Sequence, residues 1–192
     1  IENESPTFLE CPGMLADRLL HNTAIEAAIG DLDLDMADLL TRLQTRTADD
    51  TAKLIGLQRP DGGWGWCFSS DADPWLSAQA LLVLTRAAAL GYPIDDAVLT
   101  SAASYLRAQL NPIDELGNAA EVNRQAFFLY VMAEAGTDVV GDADELVGEH
   151  RDLLDPYAKA LLALAYEANG AAGDNQAGLL TDLNDSAIMS AT

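Results

Sequence analysis

The protein has 192 residues, of which 49% are apolar and only 6% are aromatic. Because alanine and leucine supply most of the apolar content, this composition favours packed helices over a β-sandwich. The 31 acidic and 10 basic residues give a net charge of −21, which repels the phosphates of nucleic acid and anionic membrane surfaces. Within these residues no apolar run is long enough to predict a transmembrane helix, and no signal-peptide pattern occurs.

Apolar periodicity and helix-capping residues predict helices along most of the chain. In chain order they lie near 14–29, 36–58, 73–91, 97–110, 123–136, 155–170 and 176–190. The helices at 36–58 and 97–110 carry one apolar stripe, whereas the helix at 73–91 is apolar nearly all round, as expected of a helix covered on most sides. With about eight helices and no convincing strand, we predict an all-α protein.

Three of the apolar helices repeat a common pattern. The segments DPWLSAQALLVLTRAAALG (73–91) and DPYAKALLALAYEANG (155–170) share an Asp-Pro-aromatic start, an Ala-Leu-Leu run and a Gly end. Asp suits the N-cap, Pro the first helical position and Gly the C-terminal end. A third copy, NRQAFFLYVMAEAG (123–136), lacks the Asp-Pro start. Since these helices alternate with amphipathic ones at the spacing of helical hairpins, we predict an inner and an outer layer of helices.

The stretch QRPDGGWGW (58–66) connects two of the predicted helices. Residues 60–63, Pro-Asp-Gly-Gly, are typical of a turn because Pro fixes φ and Gly tolerates positive φ. The tryptophans at 64 and 66 can then fold back over the helix ends. We favour a rigid clasp between helices, with a ligand-stacking loop as the alternative.

Candidate metal and catalytic residues are few. The acidic run DLDLDMAD (31–38) begins like an EF-hand loop, but Met36 and Arg42 occupy the positions that require Gly and Glu. His21 and His150 lie in no metal-binding or nucleophile motif, so we expect surface or hydrogen-bonded histidines, no metal and no cofactor. Cys11 and Cys67 permit at most one disulfide, and their number does not decide between a reducing and an oxidising compartment.

A family resemblance is carried by QRPDGGWGW, by SSDADPWLSAQALLVL (69–84) and by the spacing from these to GYPIDDAVLTSAASYL (91–106). With these features the sequence resembles the thioester domain of the alpha-2-macroglobulin family, most closely its bacterial branch. The residues that carry the family motif are Gln58, Asp61, Gly62, Gly63, Trp64, Asp73, Pro74 and Trp75. The resemblance runs from about Glu10 to Thr192 and implies an α/α toroid of helical hairpins, the fold shared with terpenoid cyclases. Since the family domain is longer, we expect 1–192 to be a single, incomplete toroid belonging to a larger protein.

The resemblance also locates the family's functional centre, a Cys-x-Glu-Gln motif whose Cys and Gln form an internal thioester. The segment at Arg18-Leu19-Leu20 matches the residues that follow this motif and places Cys11 on the thioester Cys, Gly13 on the Glu and Met14 on the Gln. A methionine thioether has no carbonyl carbon to acylate Cys11, so the motif is degenerate. For the Cys11 side chain we favour a buried small hydrophobe over a reactive thiol.

The resemblance implies a non-catalytic module of an endopeptidase inhibitor, secreted or periplasmic as part of a larger secreted or membrane-anchored protein. Its partners would be endoproteases, met through the parent protein, and neighbouring β-sandwich domains of the same chain. Without the thioester, trapping would rely on enclosing the protease. A terpenoid cyclase or prenyltransferase on the same toroid is one alternative, though few aromatic residues are available to stabilise carbocations. A helical interaction scaffold is another.

Overall fold

The computed structural model describes residues 10–32, 34–67 and 71–190, and side chains as far as Ala187. Asp33, in the acidic run considered above, lies outside this part of the chain. The described residues form helices and no strand, which confirms the predicted all-α class. In chain order the α-helices are α1 (Pro12–Asp31), α2 (Ala37–Gly56), α3 (Pro74–Ala89), α4 (Asp96–Arg107), α5 (Ala119–Glu134), α6 (Val140–His150), α7 (Pro156–Ala168) and α8 (Asp174–Ser190). Short 3₁₀ turns occupy Ile113–Glu115 and Arg151–Leu153.

Two of the three repeated helices, α3 and α7, begin as their sequences predict. The Oδ1 atom of Asp73 accepts a hydrogen bond from the backbone N–H of Leu76 at 2.8 Å, and Asp155 caps Ala158 at 2.7 Å. Asn118 performs the same role for α5 by accepting from the backbone N–H of Glu121 at 3.1 Å. Helix α5 therefore starts four residues before the predicted position, because its cap is an Asn that the Asp-Pro pattern does not include.

The chain divides into two compact units, Ile1–Ser101 and Ala102–Thr192, with the boundary inside α4. In the first unit, α1 packs against α2 and α3 around side chains such as Leu15, Leu19, Leu54, Trp64, Leu76 and Leu81. In the second unit, α7 packs against α5 and α8 around side chains such as Phe128, Leu129, Met132, Leu146 and Leu162. The single domain over 1–192 stays a prediction.

Burial alternates along the chain as the repeats predict. Helices α3 and α5 are buried along most of their length and α7 along about half of it, whereas α2, α4 and α6 bury only one stripe each. Helix α6 was not predicted individually. Two glycines and four acidic residues among its eleven weaken the helical pattern, and its formation depends on burial of Ala143, Leu146 and Val147.

Candidate functional site: the start of α1 and the 58–67 loop

Cys11 is bonded to Cys67 in a disulfide. Their Cα atoms lie 5.2 Å apart, within the usual range for this bond. Cys11 is the N-cap residue of α1, Cys67 follows the 58–66 loop, and each is partly exposed. The sequence left this pairing open. The favoured interpretation of Cys11 as a buried small hydrophobe was wrong, because the residue is partly exposed and bonded to Cys67, and it is not a free thiol either.

Met14, aligned by resemblance with the thioester Gln, is the third residue of α1 and has 48% of its surface exposed. Its sulfur is a thioether, so residue 14 offers no acyl group. The sulfur of Cys11 is in turn already bonded to that of Cys67. At these two positions the chain therefore has neither the free thiol nor the side-chain carbonyl carbon that the family's thioester needs.

Gly13 provides the space into which a tryptophan packs. A Cβ atom at residue 13 would lie 2.9 Å from Cζ3 of Trp66 and 3.7 Å from Cδ1 of Leu76. The indole of Trp66 therefore lies against the first turn of α1, next in sequence to Cys67, while 51% of its surface remains exposed. Any larger side chain at residue 13, such as the Glu of the family motif, requires this ring to move.

The turn at 58–63 is held by its own hydrogen bonds. The backbone N–H of Gly62 donates to the carbonyl of Arg59, and that of Arg59 donates to the carbonyl of Gly63, both at 2.9 Å. The Oδ1 atom of Asp61 accepts from the backbone N–H of Gly63 at 3.1 Å. The Nε2 atom of Gln58 donates to the carbonyls of Gly62 and Val98, each at 3.0 Å, and so ties the turn to α4.

Gly62 is required at its position for two reasons. Its φ of +92° lies in the region that L-residues with a Cβ rarely adopt. In addition, a Cβ there would overlap the carbonyl oxygen of Ser101 and lie 2.7 Å from its Oγ. The turn thus presses its backbone directly onto α4.

Trp64 connects the turn to α2 and α3. Its side chain is fully buried, and its Nε1 donates to the carbonyl of Leu54 at 2.7 Å. Its backbone N–H donates to Oγ of Ser77, and its carbonyl accepts from the backbone N–H of Asp73, both at 2.8 Å. Pro74 is the first residue of α3, and the next residue, Trp75, is 43% exposed. These bonds agree with the interhelical clasp favoured from the sequence.

A network of charges fixes α1 on α2 beside this site. Arg18 donates to both carboxylate oxygens of Asp50, at 3.0 and 2.7 Å, and Asp50 is only 2% exposed. Glu10 bridges Arg18 at 2.9 Å and Lys53 at 2.6 Å. The hydrogen bond to Asp50 raises the pKa of Arg18, and hydrogen bonds to Asp49 and Glu10 raise the pKa of Lys53 to about 12.

Sequence reasoning missed this network. The Arg18–Asp50 contact joins residues 32 apart, and no local pattern indicates it. Only the pair Asp49 and Lys53, at 2.8 Å, has the i,i+4 spacing that a reader of the sequence can recognise.

Each of the two histidines has a ring nitrogen beside a backbone carbonyl oxygen. His21 is exposed, with Nδ1 2.7 Å from the carbonyl of Asp17, and Nε2 of His150 lies 2.8 Å from the carbonyl of Ile113. Within residues 10–32, 34–67 and 71–190, no group of three or more His, Cys, Asp or Glu is arranged to hold a metal ion. In the same ranges, the helices are too short or too polar to cross a membrane.

Comparison with known proteins gave matches among solved structures only; no family model and no curated protein matched. The crystal structure of native Escherichia coli alpha-2-macroglobulin, spanning domain MG7 to the C-terminus, aligns with a TM-score of 0.71 and 20% identity. A cryo-EM reconstruction of the native E. coli protein gives 0.71 and 19%. Salmonella alpha-2-macroglobulin reacted with methylamine gives 0.68 and 20%.

These alignments cover 91%, 91% and 89% of the chain but only 28%, 11% and 12% of the respective relatives. The chain therefore spans less than a third of each protein that it matches. At this level of identity the likeness concerns the fold, and it agrees with the predicted α/α toroid class of helical hairpins. The resemblance read from the motifs is thus matched in three dimensions, and the chain has a fold found in the C-terminal region of bacterial alpha-2-macroglobulins.

Proposed function

We propose that this chain is a non-catalytic module of a bacterial alpha-2-macroglobulin-like inhibitor that traps endoproteases. The observation that carries the proposal is the structural match over 91% of the chain to native E. coli alpha-2-macroglobulin. The motif residues are consistent with it, because Gln58 and Trp64 bond to neighbouring helices and Asp73 caps α3. The module would act within a longer protein, against neighbouring β-sandwich domains.

We further propose that trapping proceeds by enclosure, without an acyl bond to the protease. Thioester formation needs a free Cys thiol and the side chain of a glutamine three residues after it, in a Cys-x-x-Gln motif. Here the Cys11 sulfur is bonded to Cys67, and residue 14 is a methionine. Restoring the chemistry at this place would require both the opening of the disulfide and a substitution of Met14.

The disulfide also supports an extracellular or periplasmic location. Disulfides form and persist in oxidising compartments and are rare in the reducing cytosol. The Cys11–Cys67 bond closes a loop with a sequence separation of 56 residues, so its loss would remove a large constraint on the unfolded chain. A module that depends on this cross-link is suited to the periplasm or the cell exterior.

The test uses the full-length gene product that contains this chain, incubated with several endoproteases. Cleavage of a small peptide and of a large protein substrate is followed in the same samples. Enclosure predicts that cleavage of the large substrate falls while peptide cleavage continues, and that no protease-sized conjugate survives denaturing electrophoresis.

Two other outcomes contradict parts of the proposal. A conjugate that is stable to denaturation and to reduction would show covalent capture and refute the enclosure mechanism. Unchanged cleavage of both substrates by every protease would refute the inhibitor function and favour a helical interaction scaffold.

A further inference from the structure

We infer that the Cys11–Cys67 disulfide is a thiol-exchange site, which accepts a neutral or cationic thiol at Cys67 as a mixed disulfide. This inference concerns a modification of the folded chain and does not depend on protease trapping. It rests on the accessibility of the bond, on the different surroundings of its two sulfurs and on the charge of the protein.

Both cysteines of the disulfide, Cys11 and Cys67, keep part of their surface exposed to solvent. Glu10 and Pro12 beside Cys11 are also partly exposed, and Trp66 beside Cys67 is exposed. Met14 is 48% exposed and Trp66 is 51% exposed, with the indole lying over Gly13. An approaching thiol therefore meets the apolar indole of Trp66 beside Cys67, which favours contact with the carbon skeleton of a small thiol or of a peptide.

The two sulfurs differ as leaving groups. Cys11 occupies the N-cap of the 20-residue helix α1, where the helix dipole stabilises negative charge, whereas Cys67 follows a loop. In thiol–disulfide exchange the better-stabilised thiolate leaves faster. The structure thus favours attack on Sγ of Cys67 and departure of Cys11.

The step balances without any other reactant. The incoming thiol first loses its proton to solvent, and its sulfur lone pair forms a bond to Sγ of Cys67. The electron pair of the broken bond remains on Sγ of Cys11 as a thiolate. One disulfide is consumed and one is formed, so there is no net oxidation or reduction.

Charge selects among the thiols that can reach the bond. The protein carries a net charge of −21, which repels anionic molecules over a distance set by the ionic strength. Nearby positive charges do not offset this repulsion, because Arg18 is paired with Asp50 and Lys53 with Glu10 and Asp49. Thiols whose remaining groups are neutral or cationic are therefore preferred.

The experiment treats the intact protein with a limiting amount of 2-aminoethanethiol and traps newly released thiols with N-ethylmaleimide. Peptide mass spectrometry then locates both labels. The expected result is the aminoethanethiol adduct on Cys67 and maleimide on Cys11, in excess over the reverse pattern by roughly threefold or more. The same protein unfolded in urea is the control. There the two labelling patterns should be nearly equal in amount, because the helix α1 is unfolded.

A second comparison uses 2-mercaptoethanesulfonate at the same thiolate concentration. At low salt the cationic thiol should react at least about threefold faster, and the ratio should approach one near 1 M salt. An equal or reversed label pattern in the folded protein would overturn the proposed direction of attack. Exchange that occurs only after unfolding would overturn the exchange site itself. Equal rates for the two thiols at low salt would overturn its selection of neutral or cationic thiols.

Discussion

Replacing Gly62 by alanine should destabilise the first unit more than the same change at Gly91. The two glycines have nearly the same φ, +92° and +91°. Their surroundings differ, because a Cβ at Gly62 would overlap the carbonyl of Ser101, whereas a Cβ at Gly91 meets no atom within 4 Å. The pair therefore separates the cost of the conformation from the cost of the contact.

The expected magnitudes follow from these two contributions. A left-handed conformation costs a residue with a Cβ about 1–2 kcal/mol, part of which is offset because alanine restricts the unfolded chain. We therefore expect Gly91→Ala to cost about 1 kcal/mol. Forcing a methyl group against a helix backbone costs a further 1–3 kcal/mol or so, which brings Gly62→Ala to about 3 kcal/mol.

Urea unfolding followed by tryptophan fluorescence measures this difference directly. All three tryptophans, Trp64, Trp66 and Trp75, belong to the first unit, so the signal reports the unit that contains both glycines. Equal free energies of unfolding for the two variants would refute the conclusion that the turn packs its backbone onto α4. A loss of stability that is larger by about 2 kcal/mol in Gly62→Ala than in Gly91→Ala would support it.

Three further predictions concern the same unit. Cys67→Ser should lower the free energy of unfolding by about 4 kcal/mol, the chain-entropy value for a separation of 56 residues, as measured by urea titration. Arg18→Ala should cost about 3 kcal/mol in the same assay, because it leaves the buried Asp50 carboxylate without its bidentate partner. Burial, followed by the hydrogen bond to Glu26, raises the pKa of Tyr92 to about 12, so its stabilisation is complete below pH 10 and is lost as the pH rises from 10 to 12.

Each of these predictions has a matched comparison. Adding a reductant to the unaltered protein should lower its free energy of unfolding as much as Cys67→Ser does. If Cys67→Ser were as stable as the unaltered, oxidised protein, the stabilising role of the cross-link would be contradicted. Lys53→Ala, which removes exposed ion pairs, should cost far less than Arg18→Ala; similar losses would mean that burial of Asp50 is unimportant. The stability advantage over Tyr92→Phe should shrink between pH 10 and 12, and a constant difference would refute the pKa argument.

Local sequence was sufficient for the features that depend on neighbouring residues. The Asp-Pro starts of α3 and α7 predicted both helices, since capping is decided within four residues. The turn at 58–63 was likewise readable from its Pro and glycines. The need for glycine at residue 13 could not be predicted from neighbouring residues, because it results from the contact with Trp66, which is distant in sequence.

The chemistry of Cys11 could be established only from the sequence and the structure together. The resemblance located the residue, and Met14 showed why a thioester is excluded at that place. The partner of Cys11 was indeterminate from sequence because the two cysteines are 56 residues apart, and only the packing of α1 against the loop after Trp64 brings them together. The Arg18–Asp50 pair has the same origin, since it joins two helices across their interface.

The most direct measurement is the intact mass of the protein before and after incubation with methylamine, combined with a count of free thiols under denaturing conditions. An amine attacks a thioester at its carbonyl carbon, which adds methylamine to the chain and frees one cysteine thiol. We predict no incorporation of methylamine, no free thiol before reduction and two thiols after it, as a Cys11–Cys67 disulfide requires. Incorporation of one methylamine with release of one thiol would contradict both the disulfide and the non-covalent mechanism.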